Sequence, residues 1–534
     1  MSLSVPRLSI VAHRRRLIIE KLSTFIAALD VSIIATAVPI ITNELGSASG
    51  YTWIGGSFTL AQAVSGPIWA KLSDIWGRKV IMLTVVALFL AASTICGTAQ
   101  SMSALIAGRS LQGVSAGGII LLVQIVISDL FSIRNRSLFL GLTEGVWAVA
   151  GGVGPILGGA LASLASWRWC FYLNLPISGV VFVLLFVFLD MKHEHTSLKD
   201  GLKAIDWYGL FAFLGFAVML LLGLNFGGIT FPWNSPKVIA LIVVGAFMIG
   251  VFVYSETRLA AYPLMPLKIV KDKSAIAILL VGVSHGSTFI GGEYYLPLYF
   301  QAVKQQSPVR SGLLVIPVMV TTSLVGIIAG IVQHRTSGYY REIIVLGTLL
   351  LCLGSGVFIL MGADTSLGEA IGLQILFGAG SGLLFNPPFI AIQNQVEQDH
   401  IATATSMFSF LRNVAISISV ILGGVVFQNS MDARQRDVLS SPSLGFSADV
   451  LAKLTGKEAA ANIALPSMLS DERQRAAVTE AFAWSMRNMW IMYTAFAGLG
   501  VLASVWIRNG VLSSGHSETV TGIKKEKQGG TIEQ

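Results

Sequence analysis

Asp30, Arg109, Glu144, Glu293 and Arg412 are ionisable residues set inside apolar runs long enough to cross a bilayer. Asp30 sits near the middle of Leu17–Ile41, about 15 to 20 Å from either end of a helix, where an ionised carboxylate costs roughly 2.5–3.5 kcal/mol on insertion scales. A carboxyl at that depth can take up a proton on one side of a membrane and give it up on the other. Asp30 is therefore the leading candidate for proton or cation coupling. Arginine keeps its charge, so Arg109 either holds such a carboxylate in place or extends to the nearby interface. Glu144 binds a cation or proton, or stays protonated against a neighbour, while Glu293, closer to the outer end, serves cargo binding or gating or is simply solvated at the interface. Arg412 and Asn413 are buried polar candidates, with an inner crevice as the alternative setting for Arg412. The lone His285 reads as a hydrogen-bonded structural imidazole or as a proton relay.

The elements that position these groups are membrane helices. A chain of 534 residues that is 54% hydrophobic and only 12% charged cannot stay soluble. Its apolar runs of about 18 to 25 residues exclude a barrel, whose strands alternate over about ten. Hydropathy, with breaks at polar and Gly/Pro-rich turns, gives about fourteen spans. They are Leu17–Ile41, Tyr51–Ala70, Val80–Thr98, Ala104–Ser128, Ser137–Ala165, Trp169–Leu189, Trp207–Phe226, Val238–Tyr254, Ser274–Phe300, Ser311–Val332, Ile343–Met361, Gly368–Ile390, Ala402–Phe427 and Trp484–Ile507. Cys96, Cys170 and Cys352 all fall inside spans, so disulfides do not organise the fold.

Charge sets the orientation. The net charge of +8 is scattered through short loops, which argues for topology rather than nucleic acid. Arg14–Arg16, Lys71/Arg78/Lys79, Arg134/Arg136, Lys192/Lys199/Lys203, Lys268/Lys271/Lys273, Arg335/Arg341 and the tail Lys524/Lys525/Lys527 fall on one side, so both termini are expected in the cytosol. The Asn135 sequon is then on the wrong face for glycosylation, and the first span acts as an uncleaved anchor. The polar stretch 428–483 faces outward as an interaction lid or a tolerated insertion, and 471–483 reads as a surface helix.

Several strings carry mechanism. Ala70-Lys71-Leu72-Ser73-Asp74-Ile75-Trp76-Gly77-Arg78-Lys79 is a short loop turned by Gly77, in which Asp74 can pair with Arg78 and cap a helix terminus while a gate is shut. Arg109 is followed by Gln112-Gly113. In the fifth span Ala150, Gly154, Gly158 and Ala162 form a small-residue stripe, beside Pro155 and Gly159, that lets another helix approach closely. Trp167-Arg168-Trp169-Cys170-Phe171-Tyr172-Leu173-Asn174-Leu175-Pro176 opens the sixth span with interface anchors. Asn386-Pro387-Pro388 should break the twelfth span and expose carbonyls. Gly113-Val114-Ser115-Ala116-Gly117 matches G-x-S-x-G but lacks the strand-turn-helix setting a nucleophile needs. There is no phosphate-binding loop or H-E-x-x-H string, and His193, Glu194 and His195 have no partners that would make them a metal site. An enzyme, a resident metal and a cofactor are not expected.

Taken in order from Phe25 to Leu189, the Asp30, Asp74–Lys79, Arg109, Gly154-Pro155 and Trp-Arg-Trp strings resemble the fourteen-span drug:proton antiporter branch of the major facilitator superfamily, as seen in fungal multidrug and toxin pumps. Ala70, Ile75 and Ala150 depart from its usual glycine, arginine and glycine. The resemblance implies an all-α membrane fold: a six-helix bundle over 1–190, cytosolic loops and two inserted helices over 191–273, a second six-helix bundle over 274–507, and a cytosolic tail over 508–534. Ligands then lie between the halves near the midplane. It also implies alternating access driven by protons, and the Gly154-Pro155 motif marks exporters more than importers.

The expected function is proton-coupled efflux of amphipathic or cationic drugs or toxins by a monomer in the plasma membrane, with the vacuolar membrane as the alternative. Phe25, Gln112, Trp147, Tyr294, Tyr295, Phe385, Asn386 and Arg412 are candidate cavity residues. A proton-coupled importer of a metal chelate, a vacuolar amino-acid transporter and a transporter-like sensor are the competing readings.

Overall fold

The computed structural model describes residues 5–45, 50–191, 193, 196–227, 231–259, 265, 272–336, 338–455, 458–459, 462–513, 515 and 522. Lys192, Glu194, His195, Lys268, Lys271, Lys524, Lys525 and Lys527, and the side chains of Arg14, Arg15 and Arg16, lie outside the described residues. Everything described is helix, turn or loop apart from isolated bridge residues, with Gly227 bridged to Phe231 and His193 also in a bridge. This is the all-α fold expected of a chain whose backbone polar groups must be satisfied within each segment.

The first half consists of α1 (Val5–Glu44), α2 (Gly50–Trp76), α3 (Arg78–Thr98), α4 (Met102–Leu130), α5 (Ile133–Leu164), the short α6 (Trp169–Tyr172) and α7 (Asn174–Phe188). A short surface helix, α8 (Leu198–Ala204), leads to the hairpin of α9 (Trp207–Phe226) and α10 (Pro236–Tyr254). The second half contains α11 (Lys273–Ala302), α12 (Pro308–Leu313), α13 (Ile316–Thr336), α14 (Tyr340–Val357), α15 (Leu367–Gly382), α16 (Pro387–Gln393), α17 (Ile401–Arg434) and a last helix, Glu472–Ser504.

Eleven described helices are long and apolar enough to cross a membrane, or twelve when α1 is taken as one span with a 44° bend between Ile34 and Thr36. The bend falls one turn before Pro39, which has no N–H to offer the carbonyl of residue 35. The expectation of fourteen is not met on this measure. The helix α2 and the last helix stand where spans were expected, but α2 contains Gln62, Pro67 and several serines, and the last helix carries Glu480 and Arg487. The 471–483 stretch is not a separate surface helix. It is the first part of the continuous Glu472–Ser504 helix, capped by Asp471, whose carboxylate accepts from the Arg473 N–H at 2.8 Å. The twelfth span breaks as expected, with Pro387 opening α16 after the Leu383–Asn386 turn.

Polarity is arranged inside-out relative to a soluble protein. Ile156, Phe186, Phe211, Phe247 and Leu502 are more than 60% exposed on outward faces, while Asp30, Arg109, Gln112, Ser93 and Asn174 are buried. The α1/α5 and α2/α4 pairs build the first half, and α5 and α2 also pack against α13 and α17 of the second. The α9–α10 hairpin leans on this seam through Phe213, whose ring is 4.8 Å from that of Phe410 in α17.

Candidate functional site

Asp30 is enclosed in the first half. Its Oδ2 pairs with Arg109 Nη1 at 2.6 Å, and its Oδ1 accepts from Gln112 Nε2 at 3.1 Å and from Asn174 Nδ2 at 2.7 Å. Arg109 is fixed in turn by the Ile54 carbonyl, by Gln112 Oε1 and by the Phe58 ring, 4.3 Å from its Cζ. Gln112 also donates to Ser93 at 2.9 Å. The spacing explains the assembly: Arg109 and Gln112, three apart on α4, share one face and meet α1 together. Snorkelling is overturned, because Arg109 is only 2% exposed and turned inward. Gln112 is likewise a member of this closed network rather than a wall of an open cavity, since it is 0% exposed.

The Asp30 helix is held by the small-residue stripe of α5. A Cβ on Gly154 would run into Ser32, and one on Gly158 into the Ile33 carbonyl, so only glycine permits this approach. The freed space is used for hydrogen bonds: Ser32 Oγ donates to the Ala150 carbonyl at 2.8 Å and Thr36 Oγ1 to the Pro155 carbonyl at 3.2 Å. Gly159 points elsewhere and would meet nothing closer than Thr36 Oγ1 at 4.0 Å. Phe25 and Trp147 are half-buried and pack around Leu29 and Ala150 beside the same stripe.

A second cluster forms at the seam. Glu144 of α5 accepts from Asn386 Nδ2 at 3.2 Å, so a carboxylate of one half bonds the helix break of the other. The Arg412 guanidinium of α17 lies over the Phe385 ring, 4.5 Å from its centroid, and within electrostatic reach of both Glu144 and Glu293. Its Nε is buried without a hydrogen-bond partner among the described residues. Phe385 is flanked by His285 and Phe289, with centroids at 4.8 and 5.1 Å. His285 Nε2 lies 3.0 Å from Ser381 Oγ, and its Nδ1 is buried with no hydrogen-bond partner among the described residues. Tyr294 is exposed, whereas Tyr295 is 4% exposed and gives its hydroxyl to the Val420 carbonyl at 2.7 Å. Tyr295 is thus a packing residue and not a cavity wall.

At the basic end, Gly77 adopts φ 89°, which favours glycine, and a Cβ there would strike the His193 ring. Arg78 bonds Asp74 as expected, and also Ser73 at 2.6 Å and Asp129 of α4 at 2.8 Å. Lys79 lies 5.6 Å from the Phe186 ring centroid. The two halves touch here. Arg136 donates to Gln393 and Gln398 at 3.3 and 3.1 Å, Arg134 to the His334 carbonyl at 2.7 Å, and Gly141 of α5 sits against Gly330 of α13.

Sequence reasoning missed Asn174, Asp129 and Gln393 as partners. Asn174 was visible in the Trp-Arg-Trp string and Asp129 at the end of α4 beside a basic loop. Gln393 gave no signal, because its role exists only across the seam.

A family model described as Major Facilitator Superfamily matches residues 22–420. The chain is 38% identical to "Efflux pump dotC" of Dothistroma septosporum, over 95% of this chain and 86% of that protein. It is 41% identical to "MFS-type transporter ppz2" of Metarhizium majus (94% and 86%), and 34% identical to "Efflux pump FUS6" of Gibberella moniliformis (95% and 89%). Among solved structures it is similar to the human organic anion transporter MFSD10, with a TM-score of 0.59, 16% identity and coverage of 93% of this chain and 99% of that one.

Proposed function

This chain belongs to the Major Facilitator Superfamily of secondary transporters, and we propose that it exports amphipathic, cationic small molecules in exchange for protons. The observation that carries the reading is the seam contact, in which Glu144 of one half accepts from Asn386 of the other beside the Arg412 guanidinium and Phe385 ring, with Glu293 within electrostatic reach of the same guanidinium. With both carboxyls ionised the cluster holds one net negative charge, and it attracts a cation beside the Phe385 and Phe289 rings. Each proton taken up removes one negative charge, so protons and cargo compete for the same state and exchange follows. The Asp30–Arg109 pair is internally neutral and closed, which suits it to holding α1, α4 and α7 in register. This moves the leading coupling role from Asp30 to Glu144 and Glu293. The Asp74–Lys79 loop, the Arg136–Gln393 bonds and the Gly141–Gly330 contact act as the gate of the cytosolic side, where both termini lie. Efflux is supported by the export names of the dotC and FUS6 relatives. The working unit is a monomer of two six-helix bundles with α9–α10 inserted between them, in the plasma membrane.

The test is lumenal pH in proteoliposomes with an imposed proton gradient, with cationic dyes added to wild type, Glu144→Gln, Glu293→Gln and Asp30→Asn. Dye-dependent proton flux in wild type that is lost in the two glutamine variants supports the assignment. Persistence of flux in both glutamine variants sinks the seam site. Absence of dye-driven flux in wild type sinks the cation-exchange reading itself.

A further inference from the structure

We infer that Arg412 is the specificity determinant of the seam site, selecting cargo that carries a carbonyl or carboxylate oxygen beside its positive charge. The interior arginines are of two kinds. Arg78, Arg109 and Arg136 are at most 3% exposed, and each makes three hydrogen bonds through its guanidinium. Arg78 bonds Ser73, Asp74 and Asp129; Arg109 bonds Asp30, Gln112 and the Ile54 carbonyl; Arg136 bonds Gln393, Gln398 and the Phe131 carbonyl. Arg412 makes no hydrogen bond to any described residue. Of its two acidic neighbours, Glu144 accepts from Asn386 instead, and both act on the guanidinium only through space.

Packing, not hydrogen bonding, holds this side chain in place. Gly286 of α11 lies so close to α17 that a Cβ there would come within 2.8 Å of Arg412 Cγ, and the guanidinium rests over the Phe385 ring. Its Nε is buried, which leaves the terminal nitrogens as the available donors. Arg412, Phe289, Phe385, Glu144 and Glu293 are all half-buried, so the group borders accessible space rather than sealed core. A fork fixed by stacking and by its stem is offered to a ligand with little further ordering. In an apolar surround an unmatched donor is costly, so these N–H groups favour a ligand that brings an acceptor. Carbonyl and carboxylate oxygens accept from such a fork, whereas ammonium and hydrocarbon groups do not. A cargo that is only a cation answers Glu144 and Glu293 and leaves Arg412 unmatched. One with an acceptor oxygen near its charge answers all three, with its rings against Phe385 and Phe289.

This inference deepens the cation-exchange reading and rests on it, so its test separates the two. Three dyes share one cationic xanthylium ring system: tetramethylrosamine has a bare phenyl group, tetramethylrhodamine methyl ester adds a carbonyl, and tetramethylrhodamine adds a carboxylate. Fluorescence anisotropy reads the binding of each to the purified full chain, for wild type, Arg412→Met and Arg412→Lys. Wild type is expected to bind the ester or the acid roughly tenfold tighter than the rosamine, the factor that a hydrogen bond to a charged group corresponds to. Whichever gains more identifies the oxygen. Arg412→Met should erase this ratio and still bind the rosamine, because the carboxylates remain; Arg412→Lys, which keeps the charge and loses the fork, should retain only part of it. Should Arg412→Met fail to fold, the wild-type ratio and Arg412→Lys still decide. Equal wild-type affinities for the three dyes, or an oxygen preference that both variants keep in full, would overturn the inference and leave the cation site standing. Absence of binding by all three dyes would instead sink the cation site, and this inference with it.

Discussion

Replacing Asp30 by Asn separates a structural ion pair from a proton carrier. In the native arrangement the carboxylate accepts from Arg109, Gln112 and Asn174 at once, and every one of these groups is at most 2% exposed. An amide can still accept from Asn174 and Gln112 through its oxygen. Its NH2, however, then faces Arg109 Nη1, donor against donor, and leaves a buried guanidinium with no counter-charge. Breaking a buried pair from one side costs about 3–5 kcal/mol, a factor of roughly 10² to 10³ or more in the folded ratio. Asp30→Asn should therefore lower the thermal stability of the purified protein sharply, whatever it does to transport. The double variant Asp30→Asn/Arg109→Gln should recover most of that loss, because the uncompensated charge is gone. Fluorescence-detected size exclusion after a heat step reads both variants, and with Arg109→Gln alone as the fourth corner the cycle tests the coupling. An Asp30→Asn protein as heat-stable as wild type, yet without cargo-driven proton flux, would refute the reasoning and return the coupling role to Asp30.

Two further perturbations discriminate between neighbours. Gly158→Ala should cost about 1–3 kcal/mol and cut the yield of folded protein, because its Cβ meets the Ile33 carbonyl, whereas Gly159→Ala, whose Cβ would make only ordinary contact with Thr36 Oγ1 at 4.0 Å, should be neutral in the same heat-step assay. Around Arg78, Asp129→Asn should lower stability more than Asp74→Asn, because the Asp129 side chain is 2% exposed and that of Asp74 30% exposed, so water compensates more of the loss at Asp74. Equal melting shifts for the two would mean that Arg78 leans on both acids alike.

Reading one residue at a time, the sequence named side chains that the fold brings together, Asp30 with Arg109 and Glu144 with Asn386, and misjudged the settings of others. Arg109 looked able to reach an interface from its depth along the helix. Depth says nothing about azimuth, and α4 turns that face toward α1. Tyr295 looked like an aromatic wall, yet its hydroxyl is held by a carbonyl of α17, 125 residues away. The loop around Asp74 was legible because its logic is local, with the turn glycine and the i, i+4 pair both inside ten residues. Asp129, the more deeply buried partner of Arg78, was not, because it arrives from the far end of another helix.

What the sequence determined alone was the class, the approximate positions of the helices, the bias of charge to one end and the presence of acids and arginines where lipid tolerates none. These follow from the cost of moving each residue type from water into hydrocarbon, a property of single residues and short windows. Tertiary structure decided which acid is closed and which faces the seam: Asp30 is buried against α4 and α7 of its own half, while Glu144 meets Asn386 of the other. That distinction depends on the rotation of each helix about its axis and on contacts between residues more than two hundred positions apart. It is set by packing of small-residue faces, as at Gly154 and Gly158 against α1, and no window of the chain contains both sides of such a contact.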